Sequence, residues 1–224
     1  MVFDLFSGKG ESQIERIEQQ IQEMLAACGR TIDIATDALF GRVAPSEVGK
    51  TLRKSDRAVN RLEREIRREL VVHAGVRGAS ADIPAILVYM SIVKDIERLG
   101  DYAKNLWDVA NAGADITGLS EFDRIQRDVA WVRELVDRTA KIFADRDAAA
   151  AQEALNEADA KLDEFDAMVI EQLTSDRPSR EGVPIALVAR YLKRISAHLM
   201  NVMTAVVMPL DRLDYWDEDK ADRW

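Results

Sequence analysis

Residues 12–28 read Ser-Gln-Ile-Glu-Arg-Ile-Glu-Gln-Gln-Ile-Gln-Glu-Met-Leu-Ala-Ala-Cys. The apolar series Ile14, Ile17, Ile21, Leu25, Cys28, Ile32 and Leu39 returns every three or four residues, the spacing of one helix face over a core. The run ends near Gly41, and Pro45 before Ser46 and Glu47 opens a second helix that continues to about His73. A Gly75/Gly78 loop follows; Asp82 before Pro84 then starts a third helix that ends near Gly113.

The pattern recurs. Ser120 is expected to cap a fourth helix running through Val129, Val132, Val136 and Ile142 to Asp145–Asp147. Ala148 begins a fifth, which reaches about Leu173. A polar loop with Pro178 and Gly182 leads through Pro184 into a sixth. Helices of about 25 to 30 residues make rods of roughly 40 Å, and short connections make neighbours antiparallel. The expected fold is all-α, an internal duplication of two tandem three-helix bundles in the manner of spectrin repeats. The first repeat is 1–113; the second, 114–224, ends in an acidic tail. A plain coiled coil fits poorly, because Pro and Gly punctuate the chain at every helix.

Composition narrows the function. A net charge of −9 and a pI near 4.9 argue against general nucleic-acid binding, which needs a basic footprint. The single cysteine, Cys28, allows no internal disulfide and suits a reducing compartment. The start Met-Val-Phe-Asp-Leu-Phe-Ser-Gly does not resemble a secretory signal. The apolar stretch from Leu199 to Leu210 falls far short of the roughly 20 residues of a membrane span. The expectation is a cytoplasmic protein, peripheral to a membrane at most. No Gly-rich phosphate loop is present. Di-metal oxidase chemistry in helical bundles uses Glu-x-x-His pairs, and neither His73 nor His198 has Glu three residues before it. A non-enzymatic role is expected. His73 is read as a helix-end contact and His198 as buried or interfacial.

Two oxygen-rich stripes stand out. On the second helix Asp56, Asn60 and Glu63 fall on one narrow stripe bordering the core residues Val59, Leu62, Ile66 and Leu70. Arg57, Arg61, Arg64 and Arg68 form another, read as a solvated face or a dock for an acidic partner. On the third helix Glu97 and Asp101 stand at i and i+4. That juxtaposition of like charges costs a few tenths of a kcal/mol unless a cation intervenes. Adjacent stripes of this kind can assemble a site for hard or borderline cations, or can be neutralised by Lys94, Arg98 and Lys104. Gly100, in mid-helix, suggests close approach of another backbone.

The stretch Asp95-Ile96-Glu97-Arg98-Leu99-Gly100-Asp101-Tyr102-Ala103-Lys104-Asn105 resembles the signature of the PhoU family, with its acidic-x-x-x-Asp motif. Asp56, Asn60 and Glu63 resemble the partner motif on the preceding helix, and the tandem three-helix layout extends the likeness over nearly the whole chain. The resemblance implies a regulatory adaptor that couples phosphate, or related ion, uptake to a sensor kinase at the cytoplasmic membrane. Implied with it are a homodimer, partners among membrane transporters and sensor kinases, and no nucleic acid. It further implies a divalent or trivalent metal ion (iron, zinc, manganese or magnesium) with ligands Asp56, Asn60, Glu63, Glu97 and Asp101, Asn60 contributing only its amide oxygen. The alternative is a metal-free helical scaffold or transporter accessory subunit.

The second half departs from the pattern. In Ala189–Asn201, register sets Lys193 against Glu97 and Ala197 against Asp101, while Asp159, Asp163 and Asp166 keep the spacing of the first acidic stripe. Lys193 is therefore expected to pair with Asp159 or Asp163 in place of a metal. Trp216 and Trp224 either anchor a partner or fold back on the bundle.

Overall fold

The computed structural model describes residues 13–76 and 82–214 and contains six long helices, with no strand among the described residues. They are α1 (Gln13–Leu39), α2 (Pro45–Val76), α3 (Ile83–Asn111), α4 (Phe122–Asp145), α5 (Ala148–Thr174) and α6 (Ser179–Val207). Gly78, Trp216 and Trp224 lie outside the described residues.

Every apolar position singled out on α1 is buried, Ile17, Ile21, Leu25, Cys28 and Ile32 completely. The periodicity is thus a packing instruction: each fully buried aliphatic side chain contributes about 1.5–3 kcal/mol of transfer free energy. α1, α2 and α3 pack on one another. α6 packs against α3, α5 and α4, whereas α4 makes little contact with α5. The wider α4/α5 seam holds an edge-to-face pair, Trp131 on Phe165 at 6.5 Å. α3 and α6 cross the middle of the molecule antiparallel, since Asp95 meets His198 while Tyr102 meets Tyr191. One hydrophobic core runs through all six helices.

Three local expectations are corrected. Ser120 does not cap α4: Glu121 occupies the N-cap without a side-chain cap bond, and the Ser120 hydroxyl donates to Glu121 Oε2 at 2.9 Å. Arg177, reaching over from the α5–α6 connection, also donates to that carboxylate at 2.6 Å. A stronger cationic donor has recruited the turn's acceptors. Gly182 and Pro184 are not loop residues, because α6 begins at Ser179. So near a helix start, proline forfeits only the bond back to the carbonyl of exposed Arg180, a small loss where solvent can replace it. Likewise α2 continues through Gly75 to Val76.

An acidic seam between the second and third helices

α2 and α3 lie side by side, and their register follows from the core stripe. Val59, Ile66 and Leu70 on α2, with Ile92, Ile96, Leu99 and Ala103 on α3, are all buried. Residues just off that stripe line the seam: Glu63 is 8% exposed, and the side chains of Glu97, Asp56 and Asp101 are 12%, 15% and 33% exposed. Gly100 faces the side chain of Val59, where an added Cβ would sit 3.8 Å from Cγ1. The expected close backbone approach is absent, and an ordinary van der Waals contact takes its place.

Each carboxylate is held by a cation. Lys94 Nζ donates to Glu97 at 2.7 Å, and Arg67 donates to Glu63 at 2.8 Å. Lys104 donates to Asp101 at 3.3 Å and approaches Asp56 at 3.8 Å, so it is the ammonium that spans the two helices. Arg98 adds a contact to Asp101 at 3.8 Å. Burial works against the Lys104 charge, but the attraction of Asp56 and the hydrogen bond to Asp101 more than offset it, raising its pKa. Arg67 was not among the neutralising cations expected from the sequence, although its place four residues after Glu63 is the signal for it.

Beneath the seam, the buried Cys28 thiol donates to the carbonyl of Ile96 at 3.2 Å. Burial pushes that thiol strongly up, so it stays protonated and offers no thiolate ligand. The oxygen donors above it have the right chemistry for a hard cation. Among the described residues, however, no three Asp, Glu, His or Cys side chains converge as a coordination sphere would require. A bound metal would need Lys104 and Lys94 to turn away from the carboxylates they now neutralise.

In the second repeat the equivalent seam has one charge reversed and one removed, Lys193 standing for Glu97 and Ala197 for Asp101. Lys193 donates to Asp166 at 2.5 Å, not to Asp159 or Asp163 as expected. In an antiparallel hairpin Lys193 lies level with Asp166, while Asp163 and Asp159 are about one and two turns back toward the start of α5. Lys161 bridges α5 to α4 by pairing with Asp128 at 2.7 Å, and α4 and α5 are also joined by Arg138 and Glu157 at 2.7 Å.

Both histidines are tied to aspartates. His73, in the last turn of α2, bonds Asp82 at the N-cap of α3 through Nε2 at 2.6 Å, a helix-end contact that clasps the two helices together. His198 is buried against α3, as expected. Its Nδ1–H donates to Asp95 Oδ1 at 2.8 Å, which also accepts from Asn201 at 3.0 Å. Tyr102 stacks on the imidazole at 5.7 Å. Asp95 was missed from the sequence, although its place in the Ile92–Leu99 core stripe marks it as a buried acid in need of partners.

The geometry can be set beside known proteins. The chain is similar to the curated "phosphate-specific transport system accessory protein PhoU homolog" of Synechocystis sp., at 26% identity over 203 residues and 88% of each chain. It is similar also to that of Deinococcus radiodurans, at 24% identity with 92% of this chain and 95% of the relative covered. In fold it matches the crystal structure of PhoU from Pseudomonas aeruginosa with a TM-score of 0.74 and 22% identity, covering 89% and 97% of the two chains. The PhoU domain model matches twice, over residues 21–110 and 127–206, so the chain belongs to the PhoU family.

Proposed function

We propose that this chain is a regulatory accessory protein of phosphate, or related ion, uptake, acting by protein–protein contacts and not as an enzyme. The observation that carries the reading is the double match of the PhoU domain, with relatives named as phosphate transport accessory proteins aligned over most of both chains. Its partners are a membrane transporter, a sensor kinase or both. The working form is a cytoplasmic homodimer, and the repeats divide at 113/114. No described helix is long and apolar enough to cross a membrane.

In the same reading the first repeat holds a divalent or trivalent metal on Asp56, Glu63, Glu97 and Asp101, with Asn60 offering an amide oxygen. The bound ion supplies the positive charge that Lys104 and Lys94 otherwise provide. The seam then has two states, amine-neutralised and metal-neutralised, that partners can distinguish. A second reading, a metal-free scaffold, is favoured by one observation: Lys104 already spans Asp56 and Asp101.

Metal analysis of the purified protein beside Glu97→Ala/Asp101→Ala separates the two. Stoichiometric iron, zinc, manganese or magnesium lost in the variant supports the metal site, and none in either protein supports the scaffold. For the regulatory role, deletion of the gene is expected to release expression of phosphate-uptake genes in phosphate-replete cells. Unchanged expression would overturn it.

A further inference from the structure

The outer face of α2 carries a feature that the metal seam does not use. Lys50, Lys54, Arg57, Arg61, Arg64 and Arg68 lie within a stripe about 80° wide and about 27 Å long. Between its two ends every exposed residue of α2 is Lys or Arg except Thr51. Glu65 borders the stripe and pairs with Arg61 at 3.8 Å. Of the other acids of α2, Asp56 turns to Lys104, Glu63 to Arg67, and Glu69 to Gln13 and Gln20, while Glu47 is exposed in the first turn, before the ridge begins. In a chain of net charge −9, this is a segregated positive edge.

The fold does not demand it. α5, the equivalent helix of the second repeat, exposes no cation, and its exposed charges are Glu153, Glu157, Asp163, Glu164 and Glu171. The ridge also runs into aliphatic side chains. Val71 and Val72 continue the same stripe at 58% and 53% exposure, and Ile83 and Leu87 on α3 are exposed at the same end of the hairpin. α2 packs chiefly on α1 and α3, so this face is a convex edge of the molecule rather than a groove.

We propose that the α2 ridge is a docking surface for an anionic lipid bilayer, with Val71 and Val72 seated at the headgroup boundary. A planar leaflet of negative charge satisfies collinear cations on a convex edge together, whereas a peptide needs a concavity and nucleic acid gives no return on exposed valines. The net negative charge of the rest of the molecule is screened beyond about 8 Å at physiological salt.

The test is co-sedimentation of the full chain with vesicles of phosphatidylcholine alone and with roughly 30% phosphatidylglycerol added. Binding is expected only to the anionic vesicles, and is lost near about 0.5 M NaCl. Arg57→Gln/Arg61→Gln/Arg64→Gln is expected to lower it about 100-fold. Val71→Ser/Val72→Ser is expected to weaken it several-fold with an unchanged salt slope. All five side chains are exposed, so the melting temperatures should match the parent's, and the salt titration of the parent stands as a test without any variant. Equal binding to both vesicles, undiminished binding by the arginine variant, or binding to polyglutamate or duplex DNA with none to vesicles would each overturn the proposal.

Discussion

Replacing Lys104 by Gln tests whether its ammonium and a metal compete for one place. Lys104 is the side chain that crosses from α3 to an acid of the α2 stripe, at 3.3 Å from Asp101 and 3.8 Å from Asp56. Coulomb's law at an effective dielectric of 20 would give about 4–5 kcal/mol for each contact. Lys104 and Asp101 are about one-third exposed, however, and pairs of that kind deliver about 1 kcal/mol after screening and side-chain ordering. The screened figure decides the expectation: Lys104→Gln should cost about 1 kcal/mol in chelator-treated protein, roughly 3 °C in melting temperature for a chain of this size. The sign with pH also follows. Because the folded-state pKa of Lys104 is raised, its contribution is complete below its unfolded pKa and fades only as alkaline pH passes the folded value.

With metal present the order reverses. The ion takes over the neutralisation of Asp56 and Asp101, so the variant no longer forfeits an ion pair when metal binds. Affinity for Mn2+ or Zn2+ should rise about 5- to 10-fold, the same 1 kcal/mol seen from the other side. Equilibrium dialysis for affinity and urea melts with and without metal measure both halves of the cycle. Weaker metal binding in Lys104→Gln, or stability loss that metal does not restore, would refute the competition.

Other outcomes follow from single contacts. Glu97→Lys should reproduce in the first repeat the bridge that Lys193 makes in the second, pairing with Glu63; urea melts should show a gain of about 1 kcal/mol and metal analysis a loss of binding. Asp95→Ala leaves the buried donors of His198 and Asn201 without their acceptor, and should lower unfolding free energy by about 3 kcal/mol in urea melts, while Asp82→Ala, which releases one donor from a side chain 22% exposed, costs less. Glu121 is held below the usual carboxylate range chiefly by its bond to Arg177, so its stabilisation is present above the unfolded pKa and is lost as pH falls through the folded one. Glu121→Gln should therefore cost about 1–2 kcal/mol near pH 7 and converge with the parent in acid melts.

The helices were legible because burial is periodic: Ile14 to Leu39 on α1 needed only the spacing of one face. Their ends were less so. Arg177, which claims the Glu121 carboxylate in place of an N-cap bond at α4, lies 56 residues away, a distance over which local capping rules say nothing. The acidic stripes could be read from angular position alone, and Asp56, Glu63, Glu97 and Asp101 do lie along one seam. Which cation serves each acid depends on interhelical register, and that was invisible for Lys193. A hairpin one turn out of register would have joined it to Asp163, whereas the packing of α5 on α6 set it at Asp166. Asp95 was overlooked for a related reason: an acid at a core position makes sense only once His198 and Asn201 arrive from the other repeat.

The reversed charge in the second repeat also informs the first. Asp166 and Lys193 stand at the positions equivalent to Glu63 and Glu97, and their contact at 2.5 Å shows that these two positions face each other across the α5–α6 hairpin. In the first repeat both are acidic, and each is neutralised within its own helix, Glu63 by Arg67 and Glu97 by Lys94. Such i,i+3 and i,i+4 pairs contribute only a few tenths of a kcal/mol, little for two largely buried carboxylates at the positions where the second repeat has a direct bridge. The first repeat thus neutralises these two positions with Arg67 and Lys94, each from within its own helix, whereas the second does so across the hairpin with Lys193. A fixed lysine cannot be exchanged, whereas a metal ion can be gained and lost. In the proposed reading the second repeat is then the frame and the α2–α3 seam the responsive part, and metal found on the second repeat in the same amount as on the first would refute that division.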